Sequence, residues 1–248
     1  MDIKQVIKNF ARWTKLYSNF WNIYLRRIGV LSDPYLLKLR EGPKYWIRRD
    51  RGDRGILKEV YEEGEYKDID YSDYDVVMDV GAHIGVFSLE TAKKNTKVVS
   101  YEPDPQTYQI LKKNINENNL ENIEAKNKAI STTKGEINLY IGADSLTNST
   151  TSETSKSISV NSLTLKDASN KFNISNQKTL LKLDCEGEEF NIISESPESL
   201  LENFDKIIIE YHRHSGEEKE LAQKLEMAGF KTKKLNNDNS GIIVATND

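Results

Sequence analysis

The stretch that most narrows the choice of fold is DVVMDVGAHIGVFSLE, residues 75–90. An apolar, β-prone run reaches an acid, Asp79. It then turns over Gly81 and Gly85 and continues as a helical pattern. A strand that stops on an acid and turns through glycines into a helix places a ligand site at the strand's carboxyl end.

The pattern downstream repeats this alternation. Strands are expected at Val76–Val80, Lys97–Glu102, Ile123–Ile130, Glu136–Ile141, Leu180–Asp184 and Ile207–Tyr211. Helices are expected over Val86–Lys94, Pro105–Asn118 and Glu217–Met227, with a helical turn at Glu188–Ser194. Phe230–Leu235 and Gly241–Ala245 read as a closing hairpin through NNDNS. Strands alternating with helices give an α/β, doubly wound, mostly parallel Rossmann-like sheet of about seven strands, ending in an antiparallel hairpin. Four strand ends carry acids: Asp79, Glu102, Asp184 and Glu210.

The turn is not a dinucleotide fingerprint, because Asp79 stands where the first glycine belongs and would repel a pyrophosphate. No Gly-Lys-Ser/Thr follows, which excludes a Walker loop. A carboxylate beside glycine-rich backbone suits a ligand with an ammonium and a carboxylate, such as the amino-acid end of S-adenosylmethionine. Gly81 lets the chain pass close to it, and N–H groups at the helix start can meet its carboxylate. An acid at the end of the next strand accepts ribose hydroxyls in such sites, and Glu102 in VVSYEPDP occupies that place. Dehydrogenase sheets usually end without the closing hairpin.

VVMDVGAHIGVFSL, VSYEPDPQTYQILKKNINENN, LLKLDCEGEEFNII and IIIEYHRH, in that order, resemble the FkbM-type family of S-adenosylmethionine-dependent methyltransferases. GILKEVYEEGEY looks like the family's lead-in. The resemblance implies a class I methyltransferase fold and an O-methyltransferase acting on a sugar, glycan, polyketide or related small molecule; a lipid-linked glycan acceptor is an expectation from the basic segment 1–30, not from the resemblance. It implies that Asp79, Gly81, Gly85 and Glu102 line the cofactor site, with His83, Pro103 and Asp184 beside them. His83 stands where asparagine is common in the family, and Glu188 where alanine is.

Methyl transfer to an alcohol is an in-line displacement that needs alignment and a proton acceptor. Residues two apart on a strand share a face, so Glu210, His212 and His214 converge on this reading. His212 is the expected general base, with Asp184 as orienter or alternative and Glu210 alongside. Asp, Glu and His together also describe a divalent-metal site, a reading that ranks below the metal-free one.

The chain divides into an N-terminal extension, 1–70, and the cofactor domain, 71–248. Within residues 1–30, Val6, Phe10, Trp13, Tyr17, Phe20, Trp21, Tyr24 and Ile28 recur at helical spacing, and six cations face a single acid, Asp2. This segment either packs its aromatic stripe on the domain or makes a peripheral contact with anionic lipid. Residues 144–164 are rich in Ser and Thr and read as a solvated loop or a lid over the strand ends. The net charge of −4 argues against nucleic acid as a partner. One cysteine, no secretory signal and no apolar run long enough to span a bilayer fit a cytoplasmic protein. A catalytically silent adenosine-cofactor domain serving as a glycan- or membrane-binding module is the competing function.

Overall fold

Every residue of the strand Val76–Val80 is buried, and so is every residue of Thr179–Leu183. Strands buried along their whole length occupy the middle of a sheet covered on both faces. The computed structural model describes residues 3–49, 51–70, 73–92, 96–142, 149, 156–172, 174, 177–212, 218–236 and 240–247.

The extension holds helices α1 (Ile3–Leu16) and α2 (Trp21–Arg27), a hairpin of β1 (Tyr35–Lys38) and β2 (Lys44–Ile47), and a short helix α3 (Asp53–Leu57). α3 runs on as a π-helical turn, Lys58–Glu63, that ends at Gly64 in the left-handed conformation. The elements that follow are β3 (Val76–Val80), α4 (Val86–Ala92), β4 (Lys97–Tyr101), α5 (Pro105–Glu117), β5 (Ile123–Lys126), β6 (Ala129–Ile130), β7 (Gly135–Tyr140) and β8 (Ser157–Leu163). The chain closes with α6 (Leu165–Phe172), β9 (Thr179–Leu183), α7 (Glu188–Glu195), α8 (Glu198–Leu201), β10 (Lys206–His212), α9 (Glu218–Met227), β11 (Lys231–Asn236) and β12 (Ser240–Thr246).

Seven strands form one sheet in the order β11-β12-β10-β9-β3-β4-β5. The β5-β4-β3-β9-β10 pairings are parallel, and β12 runs antiparallel to both β10 and β11. Strand order reverses at β3, whose successor β4 lies on one side and β9 on the other. Ligands bind in the crevice opened at such a reversal.

The expected strand Ile123–Ile130 is two strands in two sheets. Asn127 donates from its side-chain amide to the carbonyls of Glu102 and Pro103, both at 2.9 Å, and turns the chain out after β5. β6 then joins β7 and β8 in a separate sheet ordered β6-β8-β7. β8 corrects the reading of the Ser/Thr-rich segment as a loop. Ile158 and Val160 alternate with Ser157, Ser159 and Asn161, and the serines hide a strand period. Residues 143–148 and 150–155, the body of the expected lid, lie outside the described residues, as do the hairpin tip at 237–239 and His214.

The aromatic stripe of the extension breaks into two helices. Tyr17, between them, is fully buried and pairs with Leu39. Trp13, Tyr17, Phe20 and Ile23 share one buried cluster with Ile84, Leu89 and Leu111 of the sheet domain, while Phe10 and Trp21 stay exposed. Among the described residues no helix is long and apolar enough to cross a membrane.

Candidate active site

The parallel register of β3 and β9 sets Asp79 against Lys182 and Val80 against Leu183. Register partners share a face, so the Asp79 and Lys182 side chains meet on one face of the sheet while the apolar pair packs on the other. Asp79 is fully buried. Its Oδ2 accepts from the Ser88 hydroxyl and its Oδ1 faces the Lys182 ammonium at 3.7 Å. The ammonium also reaches Asp184 Oδ2 at 2.9 Å and the Gly81 carbonyl at 3.4 Å. Burial alone would lower the pKa of Lys182, but Asp184, Asp79 and Glu210 outweigh it and raise it above the ordinary lysine value. Burial pushes Asp79 up against the opposing pull of Lys182 and Ser88.

Above this pair the chain turns. Gly81 has φ +77°, and a Cβ placed there would lie 1.7 Å from the Asp184 carbonyl oxygen. The close approach that demands glycine is therefore between the ends of β3 and β9. The N–H groups of Gly81 and Ala82 both donate to the Tyr101 carbonyl, and that of His83 to Glu102 Oε2 at 2.9 Å. These three turn amides, which precede the helix start at Val86, serve the protein itself.

Glu102 follows β4 and also accepts from the Asp104 N–H at 2.9 Å. Asp104 caps α5 by accepting from Gln106 N–H, with Pro105 in the first turn. Burial pushes the Glu102 carboxyl up to about 8. His83 sits at φ +51° in the left-handed region, which asparagine tolerates better than most residues. Its Nε2 lies 3.5 Å from Asp53 Oδ1 of α3. Burial lowers its pKa to about 4 despite Asp53, so the ring is neutral at pH 7.

These residues border an open cleft of about 640 Å³, its mouth included. Gly81, His83, Glu102, Pro103 and Asp184 line it, with Ile56, Tyr101 and Ile130 among the apolar walls. Asp79 and Gly85 do not line it. Glu188, beside the cleft, accepts from Ser131 and Asn191, and Glu189 ties down the loop after Asp184 by accepting from the Cys185 and Gly187 N–H groups. A carboxylate has roughly four acceptor positions, and the protein's own amides fill two on Glu102. The rest suit two vicinal hydroxyls, and the apolar walls suit a flat base. The residues present thus fit S-adenosylmethionine.

A second set of acids gathers around Asp184. Glu210 of β10 accepts from the Tyr66 hydroxyl at 3.1 Å. Burial raises its pKa, and Asp184 and Glu65 raise it further. Burial, then Glu59 and Asp184, bring Glu65 to about 7. Burial and Asp184 also raise Glu59, which sits on the π-helical turn, a geometry frequent at functional sites. His212 ends β10, its backbone paired with Ser240; its side chain lies outside the described residues. Among the described residues no group of three or more His, Cys, Asp or Glu side chains is arranged to hold a metal ion.

Lys182, Glu65 and Tyr66 were not singled out by sequence reasoning, although KLDCEGEEF and GILKEVYEEGEY contain them. A lysine inside an apolar strand, next but one to an acid at the strand's end, was the readable signal for Lys182. Nothing local marks Glu65, because its partners arrive from β9 and β10.

Residues 79–232, more than half of the chain, match the methyltransferase FkbM domain. A comparison with curated proteins returns no match. Solved structures similar to this chain include a SAM-dependent methyltransferase from Agrobacterium tumefaciens, at 11% identity over 88% of this chain and 71% of that one, TM-score 0.47. Another is the precorrin-6y C5,15-methyltransferase of Geobacter metallireducens, at 12% identity over 72% and 82%, TM-score 0.43. TYW2 of P. horikoshii in complex with MeSAdo is a third, at 17% identity over 91% and 80%, TM-score 0.45. None of these three carries the assignment, which rests on the domain match. The chain belongs to the FkbM methyltransferase family and is an S-adenosylmethionine-dependent methyltransferase.

Proposed function

We propose that the protein methylates a hydroxyl oxygen of a sugar, glycan or related small molecule. The observation that carries the reading is the gathering of Glu59, Glu65 and Glu210 around Asp184, which itself lines the cofactor cleft. An alcohol must lose a proton as it is methylated, and a carboxylate whose pKa is brought to about 7, as that of Glu65 is, can take one near neutral pH. S-adenosylmethionine, when bound, supplies an electrophilic methyl group. Glu102 would accept its ribose hydroxyls, while Pro103 and Ile130, which line the same cleft, would flank its base. Asp184 meets the amino-acid end or the acceptor. Asp79 acts from beneath by holding Lys182, and Gly81, His83 and Gly85 shape the turn.

His212 is the proposed base, with Asp184 and Glu210 orienting the acceptor. Glu65, brought to about 7, is the second reading for that role. Incubating the protein with S-adenosylmethionine and a panel of sugars and glycans, then locating the new methyl group by NMR, tests the reaction. An O-methyl ether is expected; methylation at nitrogen or carbon overturns the reading. His212→Ala should lower turnover roughly 10²–10⁴-fold while leaving S-adenosylhomocysteine affinity intact. Normal turnover in His212→Ala with loss in Glu65→Gln transfers the role to Glu65.

A further inference from the structure

A second, larger cavity opens between the N-terminal helices and α3, about 1260 Å³ with its mouth included. Seven cations line it: Arg12, Arg26, Arg27, Arg48, Arg49, Arg54 and Lys58. Glu62 is the one acid among the described residues of its lining. The whole chain carries a net charge of −4, so this concentration of cations is not the by-product of a basic protein.

The guanidinium groups are held in place before any ligand arrives. Arg54 lies over the rings of Trp13 and Tyr17, 5.7 and 5.3 Å from their centroids, and Arg27 lies 5.7 Å from that of Trp13. Arg12 and Arg54 share the single Glu62 carboxylate. The Arg54 side chain is only 25% exposed and that of Arg26 15%. Arg54 Nε and Nη1 and Arg26 Nε are buried without hydrogen-bond partners, though Arg26 Nε has Asp33 at 4.0 Å. Buried donors without acceptors are costly, and guanidinium forks match the oxygens of a phosphoryl group two at a time.

The cavity also adjoins the methyl-transfer cleft. Arg54 and Gly55 line the cavity, and the next residue, Ile56, lines the cleft. Arg48, of the cavity, bonds Asp53 at 2.8 Å, and the same Asp53 oxygen lies 3.5 Å from His83 in the cleft.

We propose that this cavity binds a phosphoryl or diphosphoryl group, and that the group is carried by the methyl acceptor. The first half stands on the cavity alone. The second rests on the reading of the neighbouring cleft as the site of methyl transfer. A dianion or trianion fits better than a carboxylate, because the seven cations, even with Asp33, Asp53, Glu62 and Glu63 paired to them, leave three more positive than negative charges among the described residues. The concave shape suits a terminal or bridging phosphate of a small molecule or a lipid headgroup.

Isothermal titration of the full-length protein with inorganic diphosphate, at low salt and with and without S-adenosylhomocysteine, tests it. One site per chain is expected, weakening as salt is raised. Arg54→Gln and Arg27→Gln should each weaken diphosphate binding roughly tenfold or more while leaving S-adenosylhomocysteine affinity unchanged. Arg54→Lys, which keeps the charge and loses the fork, should fall between Arg54→Gln and the unaltered protein. Arg27 is exposed, so Arg27→Gln should leave the fold intact and decides the matter if Arg54→Gln does not fold. Vesicles bearing phosphatidate that bind and are displaced by diphosphate assign the group to a lipid. Diphosphate binding without vesicle binding assigns it to a soluble phosphate ester. Failure of diphosphate to bind, or binding unchanged in both Arg27→Gln and Arg54→Gln, overturns the proposal and leaves the cleft reading intact. Diphosphate binding with no affinity for S-adenosylhomocysteine supports the anion site and removes the link to methyl transfer.

Discussion

The cofactor cleft and the arginine-lined cavity meet at the same short helix, α3, and are built in opposite ways. The cleft grows from the register of two central strands. Asp79 and Lys182 are neighbours because β3 and β9 pair, and Asp184 and Glu102 stand at strand ends because the strands stop there. The cavity grows from the packing of α1, α2, the end of β2, and α3 with its π-helical turn, segments that lie apart in sequence. The first site is fixed by backbone and tolerates almost nothing. The second is fixed by side chains on a shared aromatic cluster and should give way one residue at a time.

Two glycines with nearly the same backbone angle separate these cases most sharply. Gly81 at φ +77° would drive a Cβ to 1.7 Å from the Asp184 carbonyl, while Gly29 at φ +78°, just past α2, would meet nothing within 4 Å. Gly81→Ala should therefore lose more than about 4 kcal/mol of stability, at the exceptional end for one substitution. Gly29→Ala should lose only the left-handed penalty of about 1–2 kcal/mol. Thermal unfolding of both variants decides it. Equal losses would mean that the tips of β3 and β9 yield as readily as the open turn after α2.

Next in size is the cation between the central strands. Lys182 is 2% exposed and compensates Asp79, which has no exposure at all. Lys182→Met should cost about 3–5 kcal/mol, because it leaves a buried charge without its partner. Adding Asp79→Asn should recover part of that loss. No recovery in the double variant would show that the two do not act as a pair. In the cavity, where arginines share carboxylates and keep some contact with water, no single cation should matter this much to folding.

The same contrast explains what could be read from the sequence. The alternation of strands and helices, the closing antiparallel hairpin and the acids Asp79, Glu102, Asp184 and Glu210 follow from short local patterns that each reach one strand end. Lys182 was written in KLDCEGEEF, but its importance depends on which strand lies beside β9. Asn127 breaks one expected strand into β5 and β6 by bonds to carbonyls across the turn, and β8 keeps its alternation under a cover of serines. The cavity was visible only as an excess of positive charge in residues 1–30. Its other cations, Arg48, Arg49, Arg54 and Lys58, come from later segments that only the folded chain brings to it.

Glu102→Ala bears on the cleft alone. Two ribose hydroxyls lose a charged acceptor, so S-adenosylhomocysteine should bind about 1.5–3 kcal/mol more weakly, with diphosphate affinity unchanged. Titration calorimetry reads both. A loss of both affinities would mean that the two sites act as one through Asp53 and His83.

The smallest expected effect is a pH dependence that also belongs to the cleft. Burial raises the Glu102 carboxyl from 4.5 to about 8, and Glu189 and Glu65 from 4.5 to about 7. Between 4.5 and these values the folded chain holds protons that the unfolded chain has released. Their stabilising contribution is full below 4.5 and is lost as pH rises through 7 to 8. His83, lowered from 6.5 to about 4, works the other way: its contribution is present above 6.5 and is lost as pH falls through 4. Of these groups only the carboxyls still titrate above pH 6.5, and Glu102 alone should take about 1–2 kcal/mol from the ligand-free protein between pH 6.5 and 8. Glu102→Gln should flatten that decline. S-adenosylhomocysteine should flatten it as well, because hydroxyl donors favour the ionised carboxylate. Melting temperatures measured across this range, with and without the ligand, read the slope directly. The same slope in Glu102→Gln as in the unaltered protein would place the proton on Glu65 or Glu189 instead.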